Sequence, residues 1–124
     1  MLITSIPQYI QGLTNAKLDL TTTNLTTLYT APSGADFNAS VVNSILVSED
    51  SGNADTITVT ITDSDAAVFS VFKTKSISAN GTTELLSGPL VLEESEILKV
   101  TAATANRLHV ILSALESKPR EVTT

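Results

Sequence analysis

The clearest structural signal in the chain is the stretch Asp55-Thr56-Ile57-Thr58-Val59-Thr60-Ile61-Thr62. Its aliphatic residues alternate strictly with threonines, so the aliphatic side chains point to one face of an extended segment and the threonines to the other. A two-residue repeat of this length has no helical interpretation, and β-branched side chains favour the pleated surface of a sheet. The pattern predicts a strand with one buried face and one exposed face.

Shorter strand-like segments lie on both sides of this stretch and are separated by turn residues. The predicted segments are 25–31, 40–48, 67–75, 76–79, 82–86, 90–92, 97–102 and 107–116. Asn80-Gly81 is the strongest hairpin signal because both residues tolerate positive φ, and we expect it to join the segments on either side of it. About seven to nine short strands predict an all-β fold, a single antiparallel β-sandwich. Jelly-roll-like and immunoglobulin-like strand orders both fit, and we adopt the jelly-roll-like order as the expectation.

The composition limits the functions that the domain can have. A chain of 124 residues has room for one domain, and 42% hydrophobic with 16% charged residues indicate a globular protein. The net charge of −6 argues against binding to nucleic acid or to an anionic membrane, since phosphate contacts need clustered Lys and Arg. The absence of Cys and the single His leave little for nucleophilic, redox or metal chemistry. We therefore expect no enzyme activity, no catalytic residue and no cofactor.

Acidic residues cluster in three turns, 49–55, 63–65 and 93–96. Carboxylates in the first two could offer oxygens to a calcium ion, but the spacing is not that of an EF-hand, and acidic residues are common in turns because they bond their own backbone. The third turn lacks the aromatic platform and paired geometry of a glycoside hydrolase. His109 alternates out of phase with the apolar residues of its strand, which places it on a surface or interface. We expect no metal site among these residues.

The two ends of the chain do not follow the strand pattern. Residues 1–15 are expected to form an extended N-terminal arm, 16–116 the β-sandwich and 117–124 a polar C-terminal tail. The gain from burying the arm's apolar side chains is smaller than the entropy cost of ordering its backbone. The arm is therefore either a frayed terminus or a segment whose backbone also pairs, as on the sheet edge of a neighbouring subunit. The residues assigned to its contact with a partner are Ile3, Ile6, Tyr9 and Ile10.

Some apolar residues fall outside a single buried face. Val68-Phe69-Ser70-Val71-Phe72 is apolar on both faces of its strand, and Ile111 and Leu115 lie opposite the main apolar side of theirs. Such a strand is either central and covered on both sides, or part of a sheet whose outer face meets another copy of the chain. Phe69 and Phe72 are therefore assigned to core or subunit packing.

The order of these features resembles a group of small accessory structural proteins of tailed-phage virions. The most specific part of the resemblance is SGPLVLE at 87–93 followed by ILKV at 97–100, which in such proteins forms a proline-led strand, a turn and a return strand. The turn before the return strand often carries Gly-Asp in those proteins and is Ser95-Glu96 here. The resemblance covers residues 25–116, including TLYTAPSG at 27–34, VVNSILVSED at 41–50, ADTITVTITDSD at 54–65 and RLHVILSALE at 107–116.

The resemblance implies a non-enzymatic virion protein of a bacteriophage. It implies a capsid decoration or cement protein that binds the outer shell, bridges subunits of the major capsid protein and forms a homotrimer, after synthesis in the host cytoplasm. Similar domains also occur in tail and fibre components, which is one alternative. A glycan-binding module is another, and it would need an exposed aromatic side chain such as Tyr9 or Tyr29. No membrane partner is expected, since no apolar run reaches the roughly 20 residues of a spanning helix.

Overall fold

A computed structural model describes residues 10–35 and 37–118. Every pair of neighbouring strands in it is antiparallel. The strands are β1 (Ile10–Asp19), β2 (Thr26–Thr30), β3 (Ala39–Glu49), β4 (Asp55–Thr62), β5 (Val68–Ile77), β6 (Thr82–Glu84), β7 (Leu90–Leu92), β8 (Ile97–Ala102) and β9 (Leu108–Lys118). In these two ranges there is no helix of the length and apolarity needed to cross a membrane. The strands confirm the predicted all-β class, and β4 matches the threonine-alternating stretch residue for residue.

The strands form two sheets that pack face to face. Sheet A has the order β1-β9-β3-β6, with β7 also paired to β3, and sheet B has the order β2-β8-β4-β5. Because β6 and β7 lie along the same edge of β3, they act together as one interrupted strand. Two four-stranded layers in this order form a jelly roll, the arrangement of two Greek keys. The jelly-roll-like expectation is thereby confirmed over the immunoglobulin-like one.

The core lies between the two sheets, because most strands alternate inward aliphatic with outward polar side chains. The alternation predicted for β9 places Leu108, Val110, Leu112 and Ala114 inward, and all four are buried. The largest aliphatic side chains that are almost fully buried are Leu20, Ile45, Ile57, Ile77, Leu92, Leu98, Leu108 and Leu112. They come from both sheets and form one contiguous cluster that holds the layers together.

The hairpin predicted at Asn80-Gly81 is wrong. The turn itself forms, since Asn80 has a φ of 55° and the Gly81 N–H donates to the Ser78 carbonyl oxygen at 2.9 Å. However, β5 before the turn pairs with β4 in sheet B, whereas β6 after it pairs with β3 in sheet A. The chain crosses between the sheets at this point. Turn chemistry specifies a local reversal, but the burial of each strand decides which partner it takes.

Glu49, at the end of β3, holds this crossing in place. Its carboxylate accepts hydrogen bonds from the backbone N–H groups of Ser51, Gly52, Asn53 and Asn80 at 2.8–3.1 Å, and also from the Ser51 hydroxyl. Desolvation acts to raise the pKa of Glu49, but these hydrogen bonds outweigh it and lower the pKa from 4.5 to about 2. The carboxylate therefore ties the loop after β3 to the turn before β6.

The first strand begins inside the range that the sequence pattern assigns to the arm. Residues 10–15 belong to β1, which pairs with β9 along its whole length, starting from Ile10 opposite Lys118. Residues 117–118 of the predicted tail likewise belong to β9. Backbone pairing defines β1, because one face of this edge strand is exposed and its side chains need not be apolar. The other residues assigned to partner binding, Ile3, Ile6 and Tyr9, lie outside the described residues.

The apolar segment around Phe69 lies on β5, at the edge of sheet B, so the first of the two alternatives, a central strand covered on both sides, is wrong. The register between β5 and β4 shifts twice, which interrupts strict alternation. The neighbouring residues Val71 and Phe72 consequently both pack against the core. Phe69 is 57% exposed. Within one copy of the chain, Phe72 thus contributes to the core and Phe69 mostly to the surface.

Candidate assembly surface

The outer faces of the two sheets differ in chemistry. On sheet B, the outer face carries the threonines of β4, which alternate with its buried aliphatic residues, next to Lys99 and Thr101 of β8. The Thr60 hydroxyl is buried and Val68 of the neighbouring β5 is exposed, but the other groups on this part of the face are hydroxyl and amino groups. The outer face of sheet A, in contrast, exposes several aliphatic side chains. The exposed aliphatic area makes sheet A the better candidate for contact with another protein.

Four aliphatic side chains form a continuous row across the outer face of sheet A, and we call them the apolar row. Leu13 of β1 is opposite Leu115 of β9, which is opposite Val41 of β3, and Val41 is opposite Val91 of β7. Directly opposed Cβ atoms lie about 4.5–5.5 Å apart, which brings neighbouring side chains of the row within reach of each other. Leu13 is 88% exposed and Val91 62%, while the two residues between them are half-buried.

A bulge in β3 sets which aliphatic residues face outward. The register against β9 shifts between Val42 and Ser44, so Asn43 is an extra residue. Without it, Val41 and Leu46 would lie on opposite faces, because their numbers differ by five. With it, both lie on the outer face, Val41 in the apolar row and Leu46 beside Ile111 of β9. The bulge therefore adds aliphatic area to the outside of sheet A.

The side chain of Glu84, on β6, stabilises this bulge. Its carboxylate accepts hydrogen bonds from the Ser44 hydroxyl and from the Ile45 N–H, the latter at 2.8 Å. Desolvation acts to raise the pKa of Glu84, but the hydrogen bonds from Ser44, Ile45 and Leu86 outweigh it and lower the pKa. Because a charged side chain holds it through hydrogen bonds, the bulge is a specific feature of the sheet and not a local defect.

The opposite end of the same face carries charge. His109 of β9 has its Nε2 atom 3.3 Å from the Asp19 carboxylate and its Nδ1 atom 3.5 Å from the Asp50 carboxylate. The side chain lies on the outer face, as its position in the sequence predicts. No group of three His, Asp or Glu side chains within the described ranges is arranged to hold a metal ion. The apolar row and the charged cluster thus occupy different ends of sheet A.

Within residues 10–35 and 37–118, no strand covers the outer edge of β1. In an antiparallel pair, alternate residues direct their N–H and C=O groups to the partner strand, and the others direct them to the opposite side. The Leu20 N–H, just after β1, donates to the Leu108 carbonyl at 3.0 Å, so the even-numbered residues of β1 face β9. The odd-numbered residues, Leu13 and Asn15 among them, direct their backbone groups outward. No strand of the described part of the chain pairs there.

β1 lacks three of the features that usually protect an edge strand, namely shortness, bulges and Pro, and its charged residues, Lys17 and Asp19, lie only at its C-terminal end. It is ten residues long, contains no Pro and keeps one register against β9. β5 is equally long, but its register shifts, it carries Lys73 and Lys75, and Thr74 between them has a φ of 49°. The strands β2, β6 and β7 have five, three and three residues. Among the described edges, β1 is the best template for pairing.

A buried polar cluster joins the two sheets beneath the apolar row. The Tyr29 hydroxyl of β2 donates to the Glu116 carboxylate of β9 and lies 3.1 Å from the Ser40 hydroxyl of β3, which can donate to it. Burial, together with the hydrogen bond to Glu116, raises the pKa of Tyr29 to about 12. Beside the cluster, Phe37 covers Gly12, where an added Cβ would lie 3.1 Å from the ring. These contacts hold in place β1, β3 and β9, three of the four strands that carry the apolar row.

Comparison with known proteins gives matches only at the level of structure. No protein-family model matches the sequence, and no curated protein matches it. The fold is similar to a chain in the acidic stable capsid structure of Helicobacter pylori bacteriophage KHP30, with a TM-score of 0.53 and 15% identity over 95% of this chain and 100% of that chain. It is also similar to a chain of the disulfide-linked pili that form Bacillus endospore appendages, with a TM-score of 0.54 and 8% identity over 94% of this chain and 95% of that chain. At these identities, the similarities show a shared fold.

Proposed function

We propose that the chain is a non-enzymatic structural protein of a tailed-phage virion and acts as a capsid decoration or cement protein on the capsid surface. The observation that carries the proposal is the apolar row, in which Leu13 and Val91 expose aliphatic side chains on the face that also exposes Leu46 and Ile111. Exposed apolar patches with a polar surround are typical of protein-binding surfaces. The fold shared with a chain from a phage capsid, over that chain's full length, supports a location in a virion.

In this role the protein binds the outer shell and bridges neighbouring subunits of the major capsid protein. Each copy contributes a weak interface, and linkage among copies raises the effective affinity without new contacts. The arm supplies one of these contacts through Ile3, Ile6, Tyr9 and Ile10. Because β1 begins at Ile10, the arm joins the sandwich at the end that carries the apolar row. Arm and row together then present one apolar surface to the shell.

Sedimentation with empty shells of the same phage tests the role of the arm. Deletion of residues 1–9 is expected to abolish co-sedimentation, whereas the matched deletion of residues 119–124 is expected to leave it unchanged. Both variants keep every described strand, since β1 begins at Ile10 and β9 ends at Lys118. A deletion of residues 1–12 would be less informative because it would remove part of β1. Equal co-sedimentation of all three proteins would contradict the proposal for the arm.

The proposed homotrimer places Phe69 at the contact between copies. Phe69 is exposed on β5, the edge of sheet B, while Phe72 packs against the core behind it. Phe69→Glu is therefore expected to break the three-fold contact without unfolding the domain. Light scattering coupled to size exclusion should give the mass of a trimer, three times 13.0 kDa, or a multiple of that mass for the original protein. The variant should not give such a mass. An unchanged mass in the variant would rule out this contact.

A tail or fibre component is the second candidate function, and the shared fold with a chain from a spore pilus favours it. This chain has no Cys, so a filament built from it would not use the disulfide links of those pili. Electron microscopy of the concentrated protein separates the two roles, since filaments in the absence of shells would favour the second.

The glycan-binding alternative loses one of its two aromatic candidates, because Tyr29 is buried in the core.

A further inference from the structure

We propose that two copies of the chain pair antiparallel through the outer edges of β1, about a two-fold axis beside Leu13. The two copies of sheet A then form one continuous sheet. This inference goes beyond the proposed function, since it concerns a contact between copies and requires no shell. It uses the edge of the sandwich opposite β5, and therefore leaves Phe69 free for a three-fold contact.

The open backbone groups of β1 determine which residues can pair. The odd-numbered residues direct their N–H and C=O groups outward, so a symmetric antiparallel pair must place odd-numbered residues opposite odd-numbered residues of the other copy to form hydrogen bonds. The axis can then lie at Leu13 or Asn15, as a hydrogen-bonded pair, or at Thr14 between them, as a non-hydrogen-bonded pair. Pairing centred on Leu13 uses the described residues 10–16 of each copy, and pairing centred on Asn15 uses residues 11–19.

The side chains favour the axis at Leu13. With Leu13 opposite Leu13, the apolar rows of two copies meet end to end and become one row of twice the length across the joined sheet. The most exposed aliphatic side chain of the described residues, Leu13 at 88%, is then covered by an identical neighbour. With Thr14 at the axis each Leu13 instead faces the polar Asn15 of the other copy, and with Asn15 at the axis it faces the charged Lys17. The register with Leu13 at the axis is therefore favoured, because it continues the apolar row from one copy into the other.

The first experiment measures the mass of the protein as a function of concentration by sedimentation velocity, in a Phe69→Glu background so that a three-fold contact does not contribute. We expect a reversible doubling of 13.0 kDa. Leu13→Glu should abolish the doubling, because it places two like charges opposite each other. The matched control is Leu25→Glu, which charges another exposed leucine outside the strands and should still allow doubling. A monomer at every concentration, or doubling in Leu13→Glu, would overturn the proposal.

A backbone variant tests the edge independently of hydrophobicity. Asn15→Pro removes an N–H that points to the open edge and leaves the hydrogen bonds between β1 and β9 in place, since those use even-numbered residues. Asn15→Ala keeps the N–H and serves as its control. Circular dichroism establishes that both variants fold, and only Asn15→Pro is expected to remain monomeric. Doubling of a folded Asn15→Pro protein would show that the contact does not use this edge.

Pulsed electron paramagnetic resonance then determines the register. The chain contains no Cys, so Lys17→Cys provides a single position for a spin label on the outer face. With Leu13 at the axis, the two labelled positions lie eight residues apart along the paired strands, about 27 Å; the distance is about 20 Å with Thr14 at the axis and about 14 Å with Asn15. A distance near about 27 Å supports the proposal, and either shorter distance or none overturns it. Since no shell is present, failure here leaves the shell-binding proposal standing, and failure of shell binding leaves this one standing.

Discussion

Replacement of Tyr29 by Phe should separate the contribution of the buried polar cluster from that of packing. The phenyl ring remains, but the hydroxyl that contacts Glu116 and Ser40 is lost, and the Ser40 hydroxyl stays fully buried. A hydrogen bond to a charged group contributes about 1.5–3 kcal/mol to the free energy of unfolding. For 124 residues, the unfolding entropy corresponds to about 0.26 kcal/mol per degree, so we expect Tm to fall by about 6–12 °C.

The pH dependence gives a second, independent readout of the same cluster. The pKa of Tyr29 is raised from 10.0 to about 12, so the neutral phenol stabilises the folded state fully below pH 10, and this contribution is lost as the pH rises through about 12. The difference in Tm between the original protein and Tyr29→Phe should therefore shrink in that range. In a Tyr9→Phe background, Tyr29 is the only tyrosine, and its phenolate absorbance should show a midpoint near 12.

Either of two results would refute this reasoning. A Tm of Tyr29→Phe equal to that of the original protein at neutral pH would mean that the cluster contributes no net stability. A Tyr29 midpoint near 10 in the folded protein would mean that its hydroxyl is accessible to water rather than bonded to Glu116. Tyr9→Phe alone serves as the control for loss of a tyrosine hydroxyl elsewhere in the chain.

Three further substitutions test other parts of the structure by thermal unfolding. Glu49→Gln should lower Tm at neutral pH, and the deficit should shrink as the pH falls from 4.5 towards 2, because the carboxylate that accepts the loop hydrogen bonds becomes protonated; a deficit independent of pH would contradict this. Leu112→Ala should cost about 2–5 kcal/mol, whereas Ile111→Ala, on the outer face, should cost less than about 1 kcal/mol; equal costs would mean that the two faces of β9 are misassigned. Gly12→Val should cost about 1–3 kcal/mol, because its side chain would meet the ring of Phe37; an unchanged Tm would show that the ring moves freely.

The sequence predicts those parts of the fold in which local pattern and tertiary burial agree. In β4 the alternation of aliphatic residues with threonine coincides with the two faces of the sheet, and both its bounds and its buried side are predicted correctly. The partners of each strand are not encoded in this way. Asn80-Gly81 forms a turn as expected, yet the strands around it belong to different sheets, since a turn of a given shape can end either a hairpin or a crossing.

The candidate surface is only partly visible in the sequence. Leu115 and Ile111 are recognisable as outward-facing because they are out of phase with the buried side of β9. Leu13, Val41 and Val91 become their neighbours only through the pairing of strands that are distant in the chain. In β3, the bulge reverses the phase after Asn43, so no constant period along the sequence finds both of its outward aliphatic residues.

The pairing of Ile10 with Lys118 has a mechanical consequence. The chain enters β1 and leaves β9 at the same end of the sheet. Tension applied between these two points therefore breaks the hydrogen bonds between β1 and β9 one after another, starting from that end, and not all at once. A copy tethered at both points would yield at low force by peeling β1 away, while the rest of sheet A and all of sheet B stay intact. It would close again when the load falls. Such an element would absorb sudden strain in a lattice without detaching from it.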